Sequence, residues 1–158
     1  MRDTDFDEIE FVRAIQDSGA RALLIGRRAL ILLGLPVLTA DYDFWVAIDD
    51  IARFNEAGVP FGLEPTRSPD QARRAGRYAL QNDELVDVLV ARSVPTVDGL
   101  LVEFDQLWQC HRAVTLAPDL SVQIPTVADL ILTKRIAARP KDLEDIRLLE
   151  ILQREDRS

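Results

Sequence analysis

The feature that most restricts what this sequence can fold into is the placement of acids inside apolar strand patterns. In Asp41-Tyr42-Asp43-Phe44-Trp45-Val46 the strand alternation puts Asp41 and Asp43 on one face, about 7 Å apart, with Trp45 continuing that face. Tyr42, Phe44 and Val46 then point the other way, into a core. Asp87 repeats the anomaly within Leu85-Val86-Asp87-Val88-Leu89-Val90. Carboxylates on one face of an apolar strand repel each other and are costly to bury unless a cation sits between them. Magnesium, with hard oxygen ligands, typically uses one or two carboxylates plus substrate phosphates. The plainer reading makes Asp41 a cap at the strand entrance and Asp87 the mark of an exposed edge. Three acids recurring on two strands of one small chain favour the metal.

Composition removes several other classes. The chain has 158 residues with 19 Lys and Arg against 27 Asp and Glu, a net charge of −8. That length fits one domain, residues 1–158. The charge argues against binding nucleic acid through a broad basic surface, although a local basic patch is compatible with it. One histidine, His111, and one cysteine, Cys110, leave no zinc site of the usual Cys/His kind and a poor basis for a Ser-His or Cys-His nucleophile. The longest apolar run, Ala29 to Leu38, contains Gly34 and Pro36 and is too short to span a bilayer. The acidic start, with no secretory layout, and the lone cysteine point to the cytoplasm.

Periodicity and punctuation predict the elements. Phe6, Ile9, Val12 and Ile15 mark an amphipathic helix over Asp5–Asp17, stopped by Gly19, and its early acids read as a solvated helix start. Ala22–Ile25 reads as a buried strand ending at Gly26, followed by a helix over Arg27–Leu33 closed by Gly34. Asp41–Ile48 is a strand, and Asp49-Asp50 are expected to cap a helix to about Ala57. Gly58–Pro69 is expected to be loop. Ser68-Pro69 opens a short helix. Arg77–Gln81 and Glu84–Ala91 read as two strands, Phe104–His111 as a helix, and Ala113–Leu116 and Leu120–Ile124 as strands. Pro125–Ala138 and Pro140 to about Gln153 read as two helices. The sum is an α+β chain, a small mixed β-sheet flanked by helices, with a C-terminal helical pair at about 125–155.

Taken together, the glycine after a short strand, a helix ending at Gly34, Thr39-Ala40-Asp41-Tyr42-Asp43 and a later strand with one Asp resemble the nucleotidyltransferase superfamily, whose fold is that of DNA polymerase β. The segments Ile124 to Lys134 and Arg139-Pro140-Lys141-Asp142-Leu143-Glu144-Asp145-Ile146 are similar to a branch of minimal bacterial nucleotidyltransferases and abortive-infection toxins of toxin–antitoxin pairs. The resemblance spans roughly Leu23 to Leu149. It implies Mg²⁺-dependent, or Mn²⁺-dependent, transfer of a nucleoside monophosphate from an NTP such as ATP to a hydroxyl. Asp41, Asp43 and Asp87 would hold the metal, and Gly26 and its neighbour would cradle phosphate, with Thr39 and Asp142 at the nucleotide. Two positions depart from the family pattern. Arg27 stands where Gly or Ser is usual, and Val37 where many relatives carry Arg. Arg27 or Arg28 is then either a replacement phosphate clamp or a plug in the pocket.

Lys134 falls within the apolar stripe formed by Val127, Leu130, Ile131 and Ala138. It is either a snorkelling stem with its head at the rim or a catalytic cation aimed at phosphate. Asp142 sits where a helix dipole welcomes a carboxylate. Arg73, Arg74 and Arg77 form a small basic cluster, either a solvated face or the edge of a nucleotide or RNA site. His111 and Cys110 read as a structural histidine and a small buried thiol. The acceptor is not named by these residues, and the acidic charge disfavours a large RNA footprint. The resemblance implies a partner, either a second copy of the chain or an antitoxin-like protein. The rival reading is a catalytically silent nucleotidyltransferase fold that binds or assembles, and a third is a nucleotide sensor.

Overall fold

Five short strands, β1 (Ala22–Ile25), β2 (Tyr42–Val46), β3 (Glu64–Pro65), β4 (Arg77–Gln81) and β5 (Leu85–Leu89), form one mixed sheet in the order β1-β2-β5-β4-β3. The computed structural model of the protein describes residues 6–156. Two hairpins stand apart from this sheet, β6 (Ser93–Pro95) with β7 (Leu101–Glu103) and β8 (Arg112–Ala117) with β9 (Leu120–Ile124). The helices are α1 (Glu8–Ser18), α2 (Gly26–Leu32), α3 (Ile51–Gly58), α4 (Pro69–Ala75), α5 (Phe104–Cys110), α6 (Val127–Lys134) and α7 (Pro140–Asp156). This is the expected mixed α+β architecture.

β2 runs parallel to β5 and antiparallel to β1, while β5 pairs antiparallel with β4. β5 is therefore a central strand, which overturns the reading of Asp87 as the mark of an exposed edge. Strand alternation decides what each face carries. Tyr42, Phe44, Val46, Val86 and Val88 enter the main core with Phe11, Ile15 and Phe54 from α1 and α3. Burying each such side chain contributes about 1.5–3 kcal/mol, so this face holds the sheet in place. On the opposite face Leu23 and Trp45 join Val102, Phe104 and Leu107 in a smaller cluster. The Trp45 indole Nε1 donates to the Ala91 carbonyl at 2.9 Å. Asp43 and Asp87 stand on this second face, beside that cluster.

Local chemistry explains the helix ends. Ser68 and Gln71 form a reciprocal capping box on α4, with proline in its first turn. Asp7 accepts from the Glu10 N–H at the start of α1, so that helix opens later than the expected Asp5, which lies outside the described residues. Thr126 caps α6 through the Asp129 N–H. Asp50 departs from expectation, because its side chain makes no cap bond to α3. It accepts instead from the Arg21 backbone N–H at 2.9 Å, from Arg21 Nε and from Arg53. Burial alone would raise its pKa, but those donors outweigh it and hold Asp50 below the usual carboxylate range. The Gly58–Pro69 segment is not all loop, since it contains a 3₁₀ turn at Val59–Phe61 and β3. The β6–β7 hairpin is too short to show alternation in the sequence. Cys110, expected to be buried, is exposed. His111 is structural as expected, stacked on Trp108 and bonded through Nδ1 to the Trp108 carbonyl.

Candidate active site

Register brings the acids together. Asp43 is the direct cross-strand partner of Asp87, and Ile25, Asp43, Asp87 and Ala79 form one row across β1, β2, β5 and β4. Adjacent strands lie about 4.8 Å apart, so the two carboxylates project side by side from one face. Asp41 precedes β2 and shares that face by alternation. At the end of the row Gly26 turns the chain with φ +69°, and a Cβ there would lie 2.5 Å from Asp43 Oδ2. Glycine is thus required twice, by its backbone angle and by the carboxylate that occupies the missing side chain's place.

The electrostatics of this row are unfavourable as it stands. Burial, then the neighbouring charges of Asp87 and Asp41, push Asp43 up to about 6, against the partial relief of Lys134 and Lys141. Asp87 is raised too, first by lost hydration and then by Asp41, with Arg77 opposing. Among the described residues no Lys or Arg stands within ion-pair distance of Asp41, Asp43 or Asp87. Nor, among those residues, are three or more His, Cys, Asp or Glu side chains gathered closely enough to enclose a metal. The donor set is an oxygen pair, Asp43 and Asp87, with Asp41 at its margin. Such a set fits a hard divalent cation whose remaining ligands come from water and substrate phosphate.

A cleft of about 620 Å³ opens over the row. Gly26, Asp43 and Asp87 line it, together with Lys134, Arg139 and Asp142 on one side and Thr66, Arg67 and Arg77 on the other. Lys134 is not a rim residue. It is only 8 % exposed, with Nζ 2.9 Å from Asp145 Oδ2 and 3.6 Å from Asp142 Oδ1. Asp142 also accepts from the Arg139 backbone N–H at 3.0 Å and from Arg139 Nε at 2.9 Å. Burial would raise Asp142, but the Arg139 donors and the Lys134 charge outweigh it and hold its pKa down.

The remaining expected phosphate ligands are elsewhere. Arg27 grips Asp145 with two parallel bonds, Nε to Oδ2 and Nη2 to Oδ1, each 3.1 Å, and its Nη1 donates to the Leu38 carbonyl. It neither lines the cleft nor fills it, because a fully buried carboxylate holds it against α7. The Asp145 bond raises the Arg27 pKa, against burial. Arg28 lies on the other side of β2, its guanidinium 4.1 Å from the centre of the Tyr42 ring and its Nε donating to the Asp41 carbonyl. Thr39 Oγ1 accepts from the Asp41 N–H at 3.0 Å, fixing the turn into β2 outside the cleft. The sequence placed Arg139 and Asp145 within the segment that resembles the family without giving either a role, and it did not single out Arg67 or Thr66. A signal for Asp145 exists: Asp142, Asp145, Ile146 and Leu149 are spaced i, i+3, i+4, i+7, the buried stripe of α7.

The sequence matches no family model and no curated protein. Solved structures do share its architecture. A candidate nucleotidyltransferase from Thermotoga maritima aligns over 87 % of this chain and 86 % of its own, at 13 % identity and a TM-score of 0.59. The antibiotic-resistance factor ANT(2'')-Ia aligns over 94 % of this chain and 88 % of its own, at 14 % identity and a TM-score of 0.62. The chain has a nucleotidyltransferase-like fold. Identity this low establishes the fold alone, so chemistry has to be argued from the cleft.

Proposed function

We propose that the protein is a Mg²⁺-dependent nucleotidyltransferase, moving a nucleoside monophosphate from an NTP to a hydroxyl acceptor. The observation that carries this reading is the Asp43–Asp87 pair, in register on the cleft floor, raised in pKa and without a counter-ion among the described residues. Asp43 and Asp87 would hold the metal, which when bound would supply positive charge to both the attacking and the leaving oxygen, while Asp41 lies outside the cleft lining and is not brought into that set. Gly26 keeps space for the Asp43 carboxylate, and Asp43 is thereby aimed into the cleft. Lys134 and Arg139 line the wall on the Asp43 side and would carry the charge developing on pyrophosphate. Arg139 takes the part the sequence offered to Arg27 or Arg28.

The transfer balances as an in-line displacement. The acceptor oxygen bonds the α-phosphorus, the bond from that phosphorus to the bridging oxygen breaks, and pyrophosphate leaves with the electron pair. Asp87 takes the hydroxyl proton. Asp142 and Asp145 act on the reaction only by positioning Lys134. Arg27 does not obstruct the cleft, but it does not line it as a phosphate clamp either, so the silent-module reading keeps its motive in the altered Arg27 and Val37 positions.

Titration of ATP by calorimetry with and without Mg²⁺, followed by labelled-nucleotide transfer, tests the reading. Tight binding only with Mg²⁺, lost in Asp43→Asn and Asp87→Asn, is expected. Equal affinity in both conditions overturns it. Lys134→Met is expected to lower transfer by about 10²-fold or more, the scale of one lost transition-state charge contact.

A further inference from the structure

The two walls of the cleft differ in charge. Lys134 and Arg139 are already answered by Asp142 and Asp145. Arg67 and Arg77, on the opposite wall, are within ion-pair distance of no carboxylate among the described residues. Arg67 is held in place, because its Nη1 donates to the Arg77 carbonyl at 2.6 Å. Arg77 leads β4, and strand alternation puts its side chain on the face shared by Ala79, the cross-strand partner of Asp87. Each acid also feels its own wall, Asp43 the lysines and Asp87 Arg77. Arg74, exposed in the last turn of α4, adds a further cation just before β4.

We propose that Arg67 and Arg77 form an anion subsite on the Asp87 side of the cleft, which binds a phosphate group of the acceptor. The inference rests on the nucleotidyl-transfer reading for the word acceptor, since Asp87 is the acid that receives the attacking hydroxyl's proton there. Two uncompensated guanidiniums match the double charge of a phosphate monoester, and their planar donor forks suit its oxygens. In a chain of net charge −8 this wall selects against cationic acceptors, which would meet like charge on arrival. The shared chemistry has two sources, a small sugar phosphate or the phosphodiesters near the 3′-hydroxyl of an RNA end.

The test is calorimetric titration, with Mg²⁺ present, of ribose 5-phosphate, of ribose and of a five-nucleotide RNA ending in a 3′-hydroxyl. The proteins are wild type, Arg67→Gln, Arg77→Gln and, as an exposed arginine outside the cleft, Arg112→Gln, each checked for folding by circular dichroism. Ribose 5-phosphate is expected to bind wild type and ribose not to. Each of Arg67→Gln and Arg77→Gln weakens that binding by about tenfold or more, the scale of one lost charged hydrogen bond, while Arg112→Gln leaves it unchanged. RNA binding tighter than ribose 5-phosphate, with the same arginine dependence, assigns the strand as the source, and the reverse order assigns the small molecule. The subsite is overturned if neither phosphate ligand binds, or if both bind the arginine variants as tightly as wild type. Mg-ATP is titrated into the same proteins. Its failure to bind overturns the nucleotidyl-transfer reading, whereas an arginine-independent phosphate overturns the subsite alone.

Discussion

Two pairs of carboxylates, Asp43 with Asp87 on the sheet and Asp142 with Asp145 on α7, are managed in opposite ways. Asp142 and Asp145 on α7 are almost completely buried, yet Lys134, Arg27 and Arg139 surround them with cations. Asp43 and Asp87 on the sheet are less buried, yet no cation is within ion-pair distance of either among the described residues. Burial of an acid is therefore not the signal of a working site here. What distinguishes the sheet pair is that its charge is left for something outside the chain to answer. The α7 pair is the device that holds Lys134 at the cleft wall. It also anchors α2 to α7 through Arg27.

The hardest way to break the comparison is to remove the answered acid. Asp145→Ala leaves Lys134 and Arg27 without their shared partner in a dry environment. Breaking a buried pair in this way costs about 3–5 kcal/mol, and urea denaturation at neutral pH is expected to show a loss of that size. A loss below about 1 kcal/mol would mean that water replaces the carboxylate, and that the α7 pair is no more structural than the sheet pair.

Gly26→Ala attacks the junction between the sheet pair and α2. The new Cβ must occupy a left-handed backbone position and would meet Asp43 Oδ2 at 2.5 Å. The conformational cost and the clash together are expected to lower stability by roughly 2–3 kcal/mol. Combining it with Asp43→Ala, which empties that space, should recover the clash and leave only the backbone cost. A double-mutant cycle with no coupling would show that Asp43 moves aside freely and that Gly26 does not hold its aim.

Much of this was legible in the sequence, for reasons that can be named. Asp43 and Asp87 stood out because a two-residue alternation makes any charge inside an aliphatic strand conspicuous, and register then follows from burying the other face. The helices of the C-terminal pair were visible from proline and apolar spacing. Asp145 was hidden because α7 is rich in acids, and an acid within a helix stripe looks ordinary until its cations are located. Those cations, Arg27 and Lys134, come from α2 and α6, so only the tertiary fold reveals that Arg27 is committed to α7 and not to phosphate. Arg67 escaped for a different reason. It lies in a Gly/Pro-punctuated stretch, and nothing local fixes the side of the sheet on which such a residue emerges.

Neutralising the unanswered pair should have the opposite sign from Asp145→Ala. Asp43 titrates near 6 in the folded protein and near 3.8 when unfolded. A carboxyl raised in this way binds its proton more tightly when folded. Its stabilising protonation is complete below about pH 3.8 and is lost as pH rises through about 6. Asp43→Asn is therefore expected to be more stable than wild type at pH 7.5, on the order of 2 kcal/mol after allowing for water in the cleft. The advantage should shrink steadily between pH 6 and pH 4. Thermal melts across that range check the slope, and a variant advantage that grows on acidification would show that Asp43 is held by donors and not repelled by its neighbours.

The smallest effect is the most direct comparison of the two pairs, the response of each to Mg²⁺. A ligand that binds only the folded state stabilises it by RT ln(1 + [L]/Kd), about 1.4 kcal/mol at ten times Kd. If Asp43 and Asp87 await a cation, wild type should gain about that much, and the gain should vanish in Asp43→Asn and in Asp87→Asn. Asp142 already has Arg139 and Lys134 as partners, so Asp142→Asn should lose stability in buffer while keeping its Mg²⁺ increment. The sign of pH dependence follows from the same charges. Protonating Asp43 below about pH 6 competes with the metal, so the increment should fade on acidification while the intrinsic stability of the pair improves. Those opposing trends come from one carboxyl and separate a bound ion from nonspecific salt screening, which would relieve repulsion at both pH values and persist in Asp87→Asn. Equal increments from Mg²⁺ and from an ionic-strength match of NaCl would remove the metal from the sheet pair. The difference between the two pairs would then be one of solvation alone.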